Sequence, residues 1–203
     1  MSQQNEQFDE IFDVLVVGSG CGGLTAALTA DIASPAKVLV IEKSHLIGGT
    51  SATSGGVIWI PDNHLGKEKG AEDSIAEAKQ YLQATIPEDE FNEPLIDTYL
   101  DQGPKMVKFM EDNTDARYTS LEHYPDYFQD APGVKLGNRA LEPLPVSADT
   151  LDDDVDNLHP SGPQTIVFGR YGVNFEESHA FTTQSPGWFK LFAKIFLTYW
   201  LDW

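Results

Sequence analysis

Gly18-Ser19-Gly20-Cys21-Gly22-Gly23 is a run of backbone with two small side chains and four glycines. Gly18, Gly20 and Gly23 fit the spacing G-x-G-x-x-G. The chemistry open to such a turn is anion binding by backbone N–H groups. Its first glycine permits a tight turn, its second lets the backbone approach a pyrophosphate, and its third lets a helix pack closely on a strand. A helix that starts there adds the positive end of its dipole. Ser19, Cys21 and Gly22 complete the cradle, and Cys21 reads as a small residue filling the turn. Glu42 lies 24 residues after Gly18, where a carboxylate can accept from both hydroxyls of an adenosine ribose, and Lys43 follows it. A second cluster runs from Gly48 to Trp59. Its Gly49, Thr50, Ser51, Thr53, Ser54, Gly55 and Gly56 offer many donors and the stretch has few bulky groups, so the loop can lie against a pyrophosphate and a flat ring system.

These residues need elements to position them. The apolar, β-branched run Phe12 to Val17 predicts a strand buried on both faces, as in a parallel sheet. Residues 22–33 carry Leu24, Ala27 and Leu28 at helical spacing, and Ser34-Pro35 stops that helix. Residues 37–42 predict a second strand, which makes one βαβ unit with the glycine turn inside it. The motif in that setting, ahead of Glu42, predicts dinucleotide binding.

Further along, Ser74-Ile75-Ala76-Glu77 reads as a capping box for a helix over 74–86. Pro94 fits the first turn of another helix, which Gly103-Pro104 is expected to interrupt before Met106, Val107 and Met110 resume on a fresh face. Asp149, Asp152, Asp153, Asp154 and Asp156 read as a solvated loop, since the spacing lacks the glycine and terminal glutamate of a calcium loop. Ser185-Pro186 is expected to start a helix whose residues 188–203 are almost wholly apolar. That helix is too short for a membrane span of about 20 residues and is expected to be buried against protein. The division predicted is an N-terminal part of a cofactor domain over 1–70 and the start of a mainly helical cap over 71–203.

Composition narrows the class. The 203 residues carry a formal charge of −19, which argues against nucleic acid or an anionic membrane as general partner. Residues 1–70 hold four basic and eight acidic side chains, while residues 71–203 hold nine and 24. One cysteine excludes an internal disulfide framework and a multi-cysteine metal site, and no metal is expected. The polar, acidic first residues lack the pattern of a signal peptide, and a cytoplasmic protein is expected.

DVLVVGSGCGGLTAALTA, VLVIEKSHLIGGTSATSGG and VIWIPDNH together resemble the FAD-binding half of the fumarate reductase/succinate dehydrogenase flavoprotein superfamily. The glycine loop just after Glu42 is similar to the second loop of FAD proteins, where NAD-only Rossmann proteins continue with a helix. The ending SGGVIWIPDNH is most similar to the 3-ketosteroid dehydrogenase branch. Tyr124-Pro125-Asp126-Tyr127-Phe128 and Gly137-Asn138-Arg139-Ala140-Leu141-Glu142-Pro143 match that branch as well. The resemblance implies an α/β fold, a Rossmann-like FAD-binding βαβ unit followed by a helical cap. It implies 1,2-dehydrogenation of a 3-ketosteroid or similar apolar ketone, with hydride passing to FAD, a proton to a tyrosine base, and electrons to an unidentified acceptor. Tyr127 falls on the tyrosine that assists the base by hydrogen bonding. The base and the second half of the FAD site match no position in this chain, which is therefore expected to be an N-terminal part, inactive alone. A missing C-terminal half or a partner is expected over 188–203. FAD is expected to be non-covalent, because Gly49 to Thr53 hold no histidine. Two alternatives stand beside this: a fumarate-reductase-like flavoprotein acting on a small unsaturated acid through arginine clamps, and a non-catalytic FAD-binding fragment.

Overall fold

Val14–Val17 (β1) and Val38–Ile41 (β2) pair in parallel, with Val14 opposite Val38 and Val17 opposite Ile41. A parallel pair needs a crossover connection, and the alanine-rich Cys21–Ala33 (α1) supplies it. At its end the Ser34 N–H still bonds Ala30 O, but Ser34 is already extended, as a residue before proline prefers. The βαβ unit is thus where the sequence predicts it. This computed structural model describes residues 10–162, 166–167, 171–184 and 187–201.

Among these residues the chain forms two compact units. One holds the residues up to Thr53 together with Leu151–Pro160, and the other holds Ser54–Thr150 and the described residues from Ser161 onward.

In the first unit, β1 is not buried on both faces. Leu15 is 58% and Val17 76% exposed, because α1 covers one face of a sheet of only two strands. Part of the second glycine segment is a helical turn, Gly49–Thr53 (α2), rather than a loop. Its residues are small enough to close on themselves, and the Ala52 N–H donates to Gly48 O. The acidic run is a 3-10 helix, Ala148–Asn157, rather than a loop, and its residues from Leu151 onward belong to this unit. Ser147 starts it, since its hydroxyl accepts the Asp149 N–H and its carbonyl the Thr150 N–H. At its end, Asn157 O accepts the Ile47 N–H, and just past it the His159 N–H donates to Ile47 O, each at 2.8 Å.

The second unit contains a sheet that the sequence reading omits. Ile58–Trp59 (β3), Tyr118–Ser120 (β4) and Ala140–Pro143 (β5) form an antiparallel sheet in the order β3-β5-β4. Strands this short show no alternation to read. The helices of this unit begin with His64–Glu68 (α3), where the Asn63 side chain accepts the Gly66 N–H at 2.7 Å. Ile75–Thr85 (α4) follows, capped by Ser74. The capping box is only half formed: Glu77 accepts from the Ser74 hydroxyl and from Lys135, while the Ser74 N–H goes to Asp73.

Glu93–Asn113 (α5) is one continuous helix with Pro104 inside it, so Gly103-Pro104 does not interrupt it. Leu100, Gly103, Val107 and Met110 lie on one buried stripe that runs past the proline. A Cβ on Gly103 would sit 3.3 Å from Ile60 Cδ1, so the glycine serves close packing rather than a break. Val107 joins Ile60 and Leu141 in the centre of the core. Packing along the stripe outweighs the missing N–H of the proline.

A short antiparallel pair, Ile166–Val167 (β6) with Tyr171–Gly172 (β7), precedes Phe175–Thr183 (α6) and Trp188–Leu201 (α7). Helix α6 carries a complete capping box between Asn174 and Glu177. Ser185-Pro186 and the last two residues lie outside the described residues. Helix α7 is apolar as expected, and the described residues of this chain cover it only in part. Ile195 is buried, whereas Phe192, Phe196 and Trp200 form an exposed ladder with ring centroids 6.0–6.3 Å apart. Among the described residues no helix is long and apolar enough to cross a membrane.

Candidate functional site

The cradle of the first unit has the shape that its glycines require. Gly18 turns the chain with φ +99°, a conformation L side chains rarely adopt. A Cβ on Gly23 would lie 2.0 Å from Gly18 O, so helix and strand can meet only without it. Around Gly20 the nearest atom to a Cβ is Ser51 Oγ at 3.6 Å, leaving backbone within reach of a ligand. Ser51 Oγ also accepts the Cys21 N–H at 3.0 Å, at the start of α1. Cys21 itself is an exposed free thiol.

Glu42 stands at the end of β2 and is fixed from three directions. Its Oε1 accepts the Ser44 N–H at 3.0 Å, and its Oε2 accepts the Ser19 N–H at 2.9 Å and the Ser19 hydroxyl at 2.7 Å. These bonds, the Ser44 N–H foremost, hold its carboxyl down to about 2 against a usual value of 4.5. The group is therefore a charged acceptor throughout the neutral range, with lone pairs left for ribose hydroxyls. Lys43 is exposed beside it. The sequence-predicted residues Gly18 to Gly23, Glu42, Gly49, Thr50, Ser51 and Thr53 thus share the first unit, while Ser54, Gly55 and Gly56 belong to the second. There the Ser54 hydroxyl accepts the Gly56 N–H at 3.0 Å. The residues present fit an adenosine diphosphate moiety: a cradle that side chains would fill, a helix start, and a held carboxylate.

Tyr127 lies in the second unit on a pocket of about 320 Å³ walled by Trp59, Tyr81, Leu82, Tyr124 and Phe128. That volume is at the lower end of small-molecule sites, which run roughly 300–1,000 Å³. Tyr127 is 80% exposed, so it is not a packed aromatic. Its hydroxyl lies 3.2 Å from that of Tyr124. The bond to Tyr127, followed by burial, raises the Tyr124 phenol above its usual value.

Behind this wall is a buried charge centre that sequence reasoning missed. Arg139, with 1% of its side chain exposed, donates from Nε and Nη2 to the two oxygens of Asp73 at 2.9 and 2.7 Å. Its Nη1 donates to Asp126 Oδ2 at 2.8 Å, and Asp126 Oδ1 accepts the Trp59 indole N–H at 2.7 Å. The guanidinium carbon also lies 5.5 Å from the Trp59 ring and 5.8 Å from the Tyr81 ring, within cation–π range. Asp73 is pushed up by burial, but the bonds and charge of Arg139 outweigh that and leave its carboxyl below the usual range. The Phe128 N–H donates to the Tyr81 hydroxyl at 3.1 Å, which ties the Tyr124–Phe128 segment to α4. Arg139 and Asp126 stand in segments the sequence singles out, but nothing in their spacing pairs Arg139 with Asp73, 66 positions away.

The two described arginines are engaged elsewhere than in a small-acid site. Arg117 donates to the carbonyls of Thr114 and Ala116, and Arg139 is held as described. Arg170 lies outside the described residues. Among those residues no group of acidic, histidine or cysteine side chains could hold a metal ion.

Residues 13–154 match the FAD binding domain family. The chain is 42% identical over 149 residues to a 3-oxosteroid 1-dehydrogenase of Mycolicibacterium smegmatis, covering 73% of this chain and 26% of that protein. It is 40% identical over 172 residues to a 4-oxocyclohexanecarboxylate 2-dehydrogenase of Sinomonas cyclohexanicum, covering 84% of this chain and 29% of that protein. Among solved structures it is similar to a 3-ketosteroid Δ1-dehydrogenase of Sterolibacterium denitrificans in complex with 1,4-androstadiene-3,17-dione. The TM-score is 0.84 at 38% identity, over 94% of this chain and 33% of that one. The chain therefore spans about a third or less of the length of these relatives.

Proposed function

From the premise that this chain belongs to the FAD binding domain family, we propose that it works within a 3-ketosteroid Δ1-dehydrogenase located in the cytoplasm. Its first unit binds the adenosine diphosphate part of FAD. Its second unit supplies part of the wall that receives the steroid. The observation that carries this reading is the similarity over 94% of the chain to a solved dehydrogenase with a dienedione bound.

The chain's own residues have separable tasks. Glu42 accepts from the ribose hydroxyls, and the glycine turn with the start of α1 meets the pyrophosphate. When bound, FAD supplies the acceptor for the hydrogen and electron pair leaving the substrate. Trp59, Tyr81 and Phe128 offer flat apolar surface to fused rings and keep water from them. Tyr124 stays protonated at neutral pH, and its hydroxyl shares a hydrogen bond with that of Tyr127. Tyr127 is thereby oriented to assist, by hydrogen bonding, the base that takes the substrate proton.

One observation favours a second substrate class. The Sinomonas relative acts on a single oxo-substituted ring bearing a carboxylate. A carboxylate calls for a cation, and the pocket wall carries none among the described residues. Arg139 behind it is neutralised by two aspartates, and Lys135 is paired with Glu77. The steroid reading is the better supported.

The two are separated by titrating the purified protein with 1,4-androstadiene-3,17-dione and with 4-oxocyclohexanecarboxylate while following the Trp59 indole N–H resonance. The dienedione is expected to shift it. A shift with the cyclic acid alone, or with neither, overturns the steroid assignment.

A further inference from the structure

The two glycine-rich segments of the first unit are fastened to each other through one side chain. Ser19 is 2% exposed although it sits inside the cradle. Its hydroxyl has a single proton, and that proton goes to Glu42 Oε2 at 2.7 Å, because a carboxylate can only accept. The hydroxyl oxygen in turn accepts the Gly48 N–H at 2.9 Å. The direction is therefore fixed, from the Gly48 N–H through Ser19 to Glu42.

Glu42 does not depend on the hydroxyl for its position. The Ser19 N–H reaches the same oxygen, and the Ser44 N–H holds the other. Gly48 differs. It is buried and turns with φ +104°, and a Cβ on it would lie 2.7 Å from Ala52 Cβ. With its acceptor removed, its N–H would be left in a place that water reaches poorly, which is costly. Gly48 leads directly into α2, whose first residue packs backbone to backbone on the cradle: a Cβ on Gly49 would stand 3.9 Å from Gly20 Cα.

Resting on the reading that Glu42 holds the ribose and the glycine segments hold the pyrophosphate, we infer that Ser19 is a positioning residue coupling these two subsites. The carboxylate that binds the ribose anchors Ser19, and Ser19 keeps the second glycine segment closed on the first in the arrangement that receives the pyrophosphate. Ligands that span both subsites benefit from the latch. A ligand that reaches only the ribose subsite does not.

The test compares the wild-type 203-residue chain with Ser19→Ala, which retains the backbone bond to Glu42. Adenosine, ADP and FAD are titrated separately. Ser19→Ala is expected to weaken ADP and FAD by about ten-fold, the effect of one buried, charge-linked hydrogen bond, and to leave adenosine within roughly two-fold. Amide exchange supplies a readout that needs no ligand. The Gly48 N–H is expected to exchange about ten-fold faster in the variant, while the Gly18 N–H, bonded to Ile41 O at 2.7 Å, is unchanged.

Equal weakening of adenosine and ADP would mean general loss of structure and overturn the coupling. So would unchanged ADP affinity together with unchanged Gly48 exchange. A wild-type chain that binds none of the three ligands contradicts the cofactor reading itself and removes the inference with it. A wild-type chain that binds FAD, beside a variant that binds it equally well, contradicts the inference alone.

Discussion

Arg139 carries a full charge to a place where 1% of its side chain is exposed. It is tolerated because Asp73 takes two of its N–H groups and Asp126 a third. Replacing it by methionine leaves the buried Asp126 and the half-buried Asp73 without their cation, which costs about 3–5 kcal/mol near neutral pH. The pH dependence follows from Asp73, whose folded pKa lies below its usual 3.8. A depressed carboxylate contributes stability above its unfolded pKa and loses it as pH falls through the folded value. Arg139→Met removes that contribution, so the stability gap between wild type and variant should narrow below about pH 4. Urea unfolding at neutral and acid pH checks this, and a gap that stays constant or widens in acid counts against the network. The shape of the glycine turn was legible at the residue scale because local backbone sets it: Gly18 has φ +99° and Gly23 has no room for a Cβ. The aromatic pocket and its arginine were not, because Trp59, Tyr81, Asp126 and Arg139 meet only once the second unit has folded.

At the scale of elements, α5 is where local propensity and packing disagree. Pro104 removes one helical hydrogen bond, yet Leu100, Gly103, Val107 and Met110 keep a single buried stripe across it. Pro104→Ala restores a donor for Leu100 O. It is expected to stabilise the protein by about 1–3 kcal/mol in urea unfolding, and a destabilised variant would show that the helix needs its proline. The same competition explains which elements could be read in advance. β1, α1 and β2 carry their own periodicity and stop signals, whereas β3 is two residues long and acquires its role only opposite Leu141 and Ala140. Helix α7 has the opposite character. Its apolar composition was plain, but composition alone does not place a partner on its exposed Phe192, Phe196 and Trp200.

Across the whole molecule, the uneven charge and the two units bear on ligand binding. Most of the −19 lies beyond residue 70, while the cradle segment is nearly balanced and bears only Lys37 and Lys43 as cations up to Thr53. On the proposed reading, pyrophosphate recognition there rests on backbone N–H groups and the start of α1 rather than on a basic patch. Affinity should therefore reside in the adenosine diphosphate half of FAD and not in its ring system. The direct measurement is FAD fluorescence on titration with the purified chain, followed by competition with ADP and with riboflavin. FAD is expected to bind, ADP to displace it, and riboflavin to leave it in place. Displacement by riboflavin but not by ADP, or no FAD binding at all, would contradict the assignment of Gly18 to Gly23 and Glu42 as the cofactor site.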